Sequence, residues 1–401
     1  MSSPPFLVSL TTASVRIQIF AVIYESCRML FGAISSIFLL GLGFSPADVA
    51  FSKTVQSLVV LLCDVPLSIL GERIGHKWVL VGTAFLDAMY FLLLPSIHTP
   101  LQLYVLEVLN ALSLAGISGS LETILVRSSS NSEGKHSLFG RLHQWVYLSS
   151  AVVGFIGGIL VKFPNWVCYT SGLGLFGLTA LSVFLLPSPH LNAAFKPRER
   201  LAFWKLPVVF FRSGINIRKI LPLAIAMSLL STFIQFWQLL VNPFISEEYR
   251  PIYGPLFFGI LLAQSLAGRM SKKGKRHPSS EFLKILILLL GFTSLFFLDM
   301  WFVVLLLLPV FFFVKSLNLI LLGDFHDHIA ENLRSEGHSI QMVLSRCLNF
   351  LTFALMGWGM TTGLGPMTIP LCSILLVLLA WIVSVGKTQS SFPQCARHGA
   401  S

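Results

Sequence analysis

Apolar residues run in long blocks from one end of the chain to the other, parted by short clusters of Gly, Pro, Ser and charged residues. A helical block of about 20 apolar residues is ~30 Å long, enough to cross the hydrocarbon core of a bilayer. The blocks are continuous rather than alternating, which suits helices and not barrel strands. In lipid every backbone N–H must find an internal partner, and a helix supplies one. The pattern predicts about twelve spans. Six fall at 15–40, 49–70, 77–96, 101–126, 142–161 and 165–186. Six more fall at 219–243, 252–269, 282–298, 300–322, 340–361 and 366–386. Gly43-Phe44-Ser45-Pro46 parts the first two, and Asp299 marks a very short turn between the ninth and tenth.

The longest central polar stretch, Pro187 to Arg218, holds Lys196, Arg198, Arg200, Lys205, Arg212 and Arg218. Phe203, Trp204 and Leu206 interrupt it, as in a segment lying on a membrane surface. The expected organisation is an all-α integral membrane protein. A six-helix bundle spans 1–186, a basic cytoplasmic linker 187–218, a second six-helix bundle 219–386 and a cytoplasmic tail 387–401.

Composition agrees. Of 401 residues 55% are hydrophobic and 11% charged, where a soluble domain carries about 25% charged. Mean hydropathy is +0.79. The net charge of +11 reads as basic cytoplasmic loops rather than as affinity for nucleic acid. With both termini in the cytoplasm, the inner loops hold Arg73, Lys77, Arg127, Lys135, Arg141, the central linker, Arg269, Lys272, Lys273, Lys275, Arg276 and Arg334. The outer side holds only Lys53, Lys162 and Arg250, which sets the orientation in a plasma (inner) membrane. No cleavable leader is expected, because the first apolar run carries Glu25 and Arg28. Cys27, Cys63, Cys168, Cys347, Cys372 and Cys395 lie too far apart for a metal or disulfide framework. Asp324, His326, Asp327, His328 and His338 form a polar loop without a metal-binding helical motif, so no metal or other cofactor is expected.

Ionisable residues are expensive inside a bilayer and mark pathways or pairs. The first span carries Tyr24, Glu25 and Arg28; the fourth Glu107, Asn110 and Glu122; the seventh Gln235, Trp237 and Gln238; the tenth Lys315 and Asn318. A self-neutralising Glu25–Arg28 pair and plain interhelical hydrogen bonding are the competing readings. Embedded polarity thus falls on every third span.

Residues 64–77 read Asp-Val-Pro-Leu-Ser-Ile-Leu-Gly-Glu-Arg-Ile-Gly-His-Lys. This resembles the signature loop of the major facilitator superfamily, G-x-L-A-D-R-x-G-R-K, with the acidic-x-Pro extension of its drug-efflux and permease-like branch. Asp64, Pro66, Arg73, Gly75 and Lys77 match, while Ser68, Glu72 and His76 depart from it. Ser118-Gly119-Ser120-Leu121-Glu122-Thr123 is similar to a drug-permease stretch. Gly154, Gly157 and Gly158 are similar to a glycine-rich antiporter motif that here lacks its proline.

The resemblance implies a cytoplasmic gate at Glu72 and Arg73, supported by Asp64, and a central cavity lined by the first, fourth, seventh and tenth spans. It implies a secondary active transporter working by alternating access, with efflux as the leaning and no enzymatic activity. Its partners would be a small solute and membrane lipids, with no nucleic acid, and the chain would be a monomer. No nucleotide-binding loop is present, so a proton or ion gradient is the expected energy source. Burial disfavours an ionised carboxylate. Glu107 has no base in its own helix and is the leading proton carrier, followed by Glu25 and Glu122. An organic-anion uptake permease and a transporter-like sensor or scaffold stand as alternatives.

Overall fold

The computed structural model describes residues 13–128, 135–187, 217–271, 300–328 and 334–385. Ala13–Gly32 (α1) and Ser35–Gly41 (α2) form the first expected span, broken at Ala33–Ile34 and bent by 44°. The second to sixth spans are Pro46–Ile74 (α3), His76–Leu93 (α4), Pro100–Ser128 (α5), Lys135–Ile159 (α6) and Pro164–Leu185 (α7). Ile217–Val241 (α8) and Tyr253–Ser271 (α9) are the seventh and eighth. Met300–His328 (α10), Arg334–Thr361 (α11) and Thr368–Val385 (α12) are the tenth to twelfth. Among the described residues, seven helices are long and apolar enough to cross a membrane, or eight with the bent pair counted as one. The ninth expected span, most of the central linker and the tail lie outside the described residues.

Local chemistry explains the boundaries. The Ser45 hydroxyl accepts from the Asp48 amide and the Asp48 carboxylate accepts from the Ser45 amide, a reciprocal cap that starts α3 at Pro46. Gly75 separates α3 from α4 with φ +97°, a backbone conformation that a side chain would strain. The lipid-facing surface is apolar, with Leu101, Trp166 and Phe184 among its most exposed side chains.

Helices α1–α7 form one packed group, in which α3 lies on α5, α4 on α5 and α7, and α1 on α6 and α7. Helices α8–α12 form a second, with α8 against α10, α11 and α12, and α9 against α10. The groups meet where α3 packs on α11, α6 on α9, and α2 on α8.

Candidate solute pathway

Inside the first group, four helices converge on a continuous polar chain. Lys53 on α3 donates to Glu107 on α5 at 2.6 Å, and Tyr90 on α4 donates to the same oxygen at 3.2 Å. The other Glu107 oxygen accepts from the Asn110 amide at 3.0 Å. The Asn110 oxygen in turn accepts from Arg28 at 3.1 Å. Arg28 forms an ion pair with Asp87 on α4, and the Tyr24 hydroxyl donates to the same carboxylate. Ser113 lies 2.7 Å from that hydroxyl and donates to the Thr83 carbonyl at 3.1 Å. Asp87 and Glu107 are fully buried, and each of these two acids has a base. That is the condition under which charge survives at such depth.

This arrangement changes two sequence expectations. Glu107 has no base in its own helix, but Lys53 supplies one from the neighbouring helix. Lys53 itself, placed by sequence among outer loop residues, lies inside α3. The competing reading of a Glu25–Arg28 pair is not what forms: Arg28 turns to Asp87, a residue the sequence reading missed. Its one available signal was an isolated acid in the apolar run of the third span. Glu25 makes no ion pair or side-chain hydrogen bond among the described residues; Arg28 and Asp87 both act on it electrostatically, with opposite sign.

Glu25 lies on the face of α1 that continues one and two turns later as Met29 and Gly32. A side chain at Gly32 would touch Phe257 of α9, so this face looks onto the second group. Lys315 on α10 looks back at the first group, its ammonium 5.6 Å from the Tyr147 ring of α6. Asn318, one turn along and 2% exposed, has an unpartnered amide nitrogen. Gln235 likewise has an unpartnered buried oxygen. Trp237 is fully buried between Phe257 and Tyr253. Gln238 is committed elsewhere. Its oxygen accepts from the Ser36 and Ile37 amides at 2.8 and 3.4 Å, and its nitrogen donates to Gly32 at 2.7 Å.

Among the described residues, the tightest glycine contacts between the groups lie towards the end of the molecule that carries Gly43. A Cβ on Gly158 would overlap the Gly254 backbone, one on Gly157 the Leu30 carbonyl, and one on Gly154 the Phe257 ring. One on Gly357 would lie 3.0 Å from Phe51. At the opposite end the signature residues Glu72 and Arg73 are exposed, and so is Pro66 one to two turns earlier. Glu72 lies 3.3 Å from His76, whose other ring nitrogen is 3.2 Å from Ser120. Lys77, placed by sequence in an inner loop, lies at the start of α4. It is buried and donates to the Val183 carbonyl at 2.6 Å, capping the end of α7. Asp64 accepts from Ser118 at 2.5 Å and lies within electrostatic range of Glu122 and of Arg346 on α11. Arg346 was also missed from sequence.

Known proteins share this architecture. A variant of the nucleoside transporter NupG superposes with a TM-score of 0.75 at 13% identity, over 95% of this chain and all of that one. A bacterial homologue of the human lysosomal transporter Spinster, inward-facing and occupied, superposes with a TM-score of 0.66 at 10% identity over the whole of both chains. An uncharacterised transporter of the same type from Bacillus subtilis (strain 168), YitZ, is 26% identical over 146 residues, 35% of this chain and 86% of its own length. The family model of the Major Facilitator Superfamily matches residues 19–348. With its helical membrane fold and signature loop, the chain belongs to the Major Facilitator Superfamily, a family of membrane transporters.

Proposed function

We propose that the chain is a secondary active transporter that moves a small organic solute by alternating access, and that the described conformation opens to the cytoplasm. What supports this reading is the close glycine packing between the groups at the Gly43 end. The two helix groups interlock at the Gly43 end, whereas the signature loop at the other end is exposed. The basic-loop asymmetry puts the Gly43 end outside. The residues on 1–186 and 219–386 then act as two rocking bundles about a midplane site, with Glu72, Arg73 and Asp64 forming the inner gate when the cycle reverses. The nucleoside carried by NupG, a compact polar solute, is a reasonable guide to the size of the cargo.

Energy comes from a proton gradient in this reading, driving efflux. Glu25 is the better carrier. It has no ion-pair partner, it faces the second group, and the charges nearest it are Arg28 and Asp87, already joined to each other. Glu107 and Glu122 stand behind it, the first because Lys53 neutralises it. Uptake of an organic anion is the second reading, favoured by Lys315 and Arg346 on the second group.

Reconstitution into proteoliposomes with an imposed pH gradient tests both. Wild-type protein is expected to expel solute against its gradient. Glu25→Gln is expected to abolish concentration while leaving exchange of solutes without a positive charge measurable. A variant that still concentrates solute with unchanged pH dependence removes Glu25 from coupling. A protein that reconstitutes but moves nothing favours a sensor or scaffold.

A further inference from the structure

The acids within the expected spans are confined to the first helix group, whereas bases occur in both. The spans of the first carry five acids, Glu25, Asp64, Asp87, Glu107 and Glu122. Those of the second, 219–243, 252–269, 282–298, 300–322, 340–361 and 366–386, carry none; Lys219, Arg269 and Lys284 lie near their ends, and Lys315 and Arg346 lie within them. Arg28 and Lys53 neutralise two of the acids inside the first group. Glu25 is left facing the second group without a partner, and Lys315 faces the first without an acid.

The two sites stand at nearly the same depth. Gly154 lies against Met29 and Gly157 against Leu30, so α1 and α6 run side by side in a fixed register. That register sets Glu25 about one turn, ~6 Å along the axis, from Tyr147, over whose ring Lys315 sits. The unpartnered Asn318 amide, on the same face as Lys315, adds a buried donor beside the ammonium. An embedded charge persists in a membrane when something of opposite sign answers it. One small molecule bearing both signs answers both.

We infer that the solute is a short dipolar molecule of the amino-acid type, its ammonium received by Glu25 and its carboxylate by Lys315 and Asn318. The inference rests on the transport reading and names the cargo of that same site. A solute with one charge leaves either Glu25 or Lys315 unanswered. The aromatic packing around Tyr147 and Phe257 suits an apolar body on the dipole.

The test uses the full chain and four probes: tryptophan, tryptophanamide (cationic), N-acetyltryptophan (anionic) and uridine (uncharged). Binding is read by thermal stabilisation in detergent and transport by counterflow in proteoliposomes. Wild-type protein is expected to respond to tryptophan at least tenfold more strongly than to either singly charged analogue. Lys315→Gln is expected to shift that preference to tryptophanamide, and Glu25→Gln to N-acetyltryptophan. Equal responses to all three tryptophan probes, or none to tryptophan, overturn the inference. Counterflow of uridine without tryptophan binding leaves transport standing and rejects the dipolar site. Tryptophan binding with the expected variant shifts but no counterflow supports the site and rejects transport.

Discussion

Gln238 on α8 mends a break in a helix of the opposite group, donating to the Gly32 carbonyl at 2.7 Å and accepting from the Ser36 amide at 2.8 Å. The bend between α1 and α2 strands a carbonyl at one helix end and amides at the next, as every helix break must. One side-chain amide from the other group answers both. The Ser36 hydroxyl adds a bond to the Gln235 carbonyl at 3.3 Å. The clamp holds only while the groups are closed at this end.

We therefore expect Gln238→Leu to shift the protein towards the state open at the Gly43 end. Each stranded buried group costs about 1–3 kcal/mol, so the equilibrium should move tenfold or more. Spin labels at the exposed positions Lys162 and Glu248, which sit on neighbouring turns in this structure, report the change. A longer distance population is expected to grow in the variant. An unchanged distribution would show that the amide carries none of the closure.

The glycines at the α6–α9 contact make a second expectation. Gly158→Ala places a methyl group in the Gly254 backbone and should oppose closure, raising the longer-distance population in the same measurement. Gly82→Ala serves as the control, because nothing lies within 4 Å of the added carbon. It should leave the distribution alone and gain a few tenths to about 1 kcal/mol of helix stability. Equal behaviour of the two variants contradicts the assigned contact.

The Lys53–Glu107 pair yields an expectation about stability. Removing one member of a buried pair strands the other and typically costs ~3–5 kcal/mol. Lys53→Met alone should lower the detergent melting temperature markedly, and Lys53→Met with Glu107→Gln should recover most of the loss. Glu107→Gln alone should be milder, since Tyr90 and Asn110 still offer it hydrogen bonds. Additive losses in the double variant would mean that the two residues act separately.

At the other end of the molecule, Glu72→Gln is expected to change the transport rate and the balance of open states without impairing insertion. Its exposure here leaves the fold little dependent on it. Gly75→Ala should reduce stability instead, because φ +97° strains any side chain. Turnover by Glu72→Gln indistinguishable from wild type removes the residue from the gate. Labelling of introduced cysteines checks orientation: positions 43 and 247 should react from outside, and 135 and 273 from inside. Labelling of 273 from outside reverses the topology.

Local features were legible in the sequence, and contacts across long separations were not. The start of α3 could be read from Ser45, Pro46 and Asp48, and the turn at Gly75 from the signature loop, because caps and turns act within a few residues. Asp87 could not. It is a lone acid in an apolar run, and its partners Arg28 and Tyr24 are 59 and 63 residues away. At Glu25 and Arg28 local spacing left a mutual pair open, and only the fold shows that adjacency on one helix is outweighed by a carboxylate on another. Gln238 appeared as a cavity residue because an embedded amide signals polarity without saying which backbone it will satisfy, here one 206 residues distant.

The polar chain from Lys53 to Ser113 begins and ends within α1–α7. In the proposed alternating-access cycle these charges would travel together, and neither ion pair would have to be broken or bared to lipid. The energy separating the two open states would then owe little to these two ion pairs, and would be set by side-chain packing, the Gln238 amide and the charges that face across the groups. A cycle of that kind should run at much the same rate in dilute and in concentrated salt, with ionic strength felt chiefly at the exposed signature loop, where screening has charges to act upon.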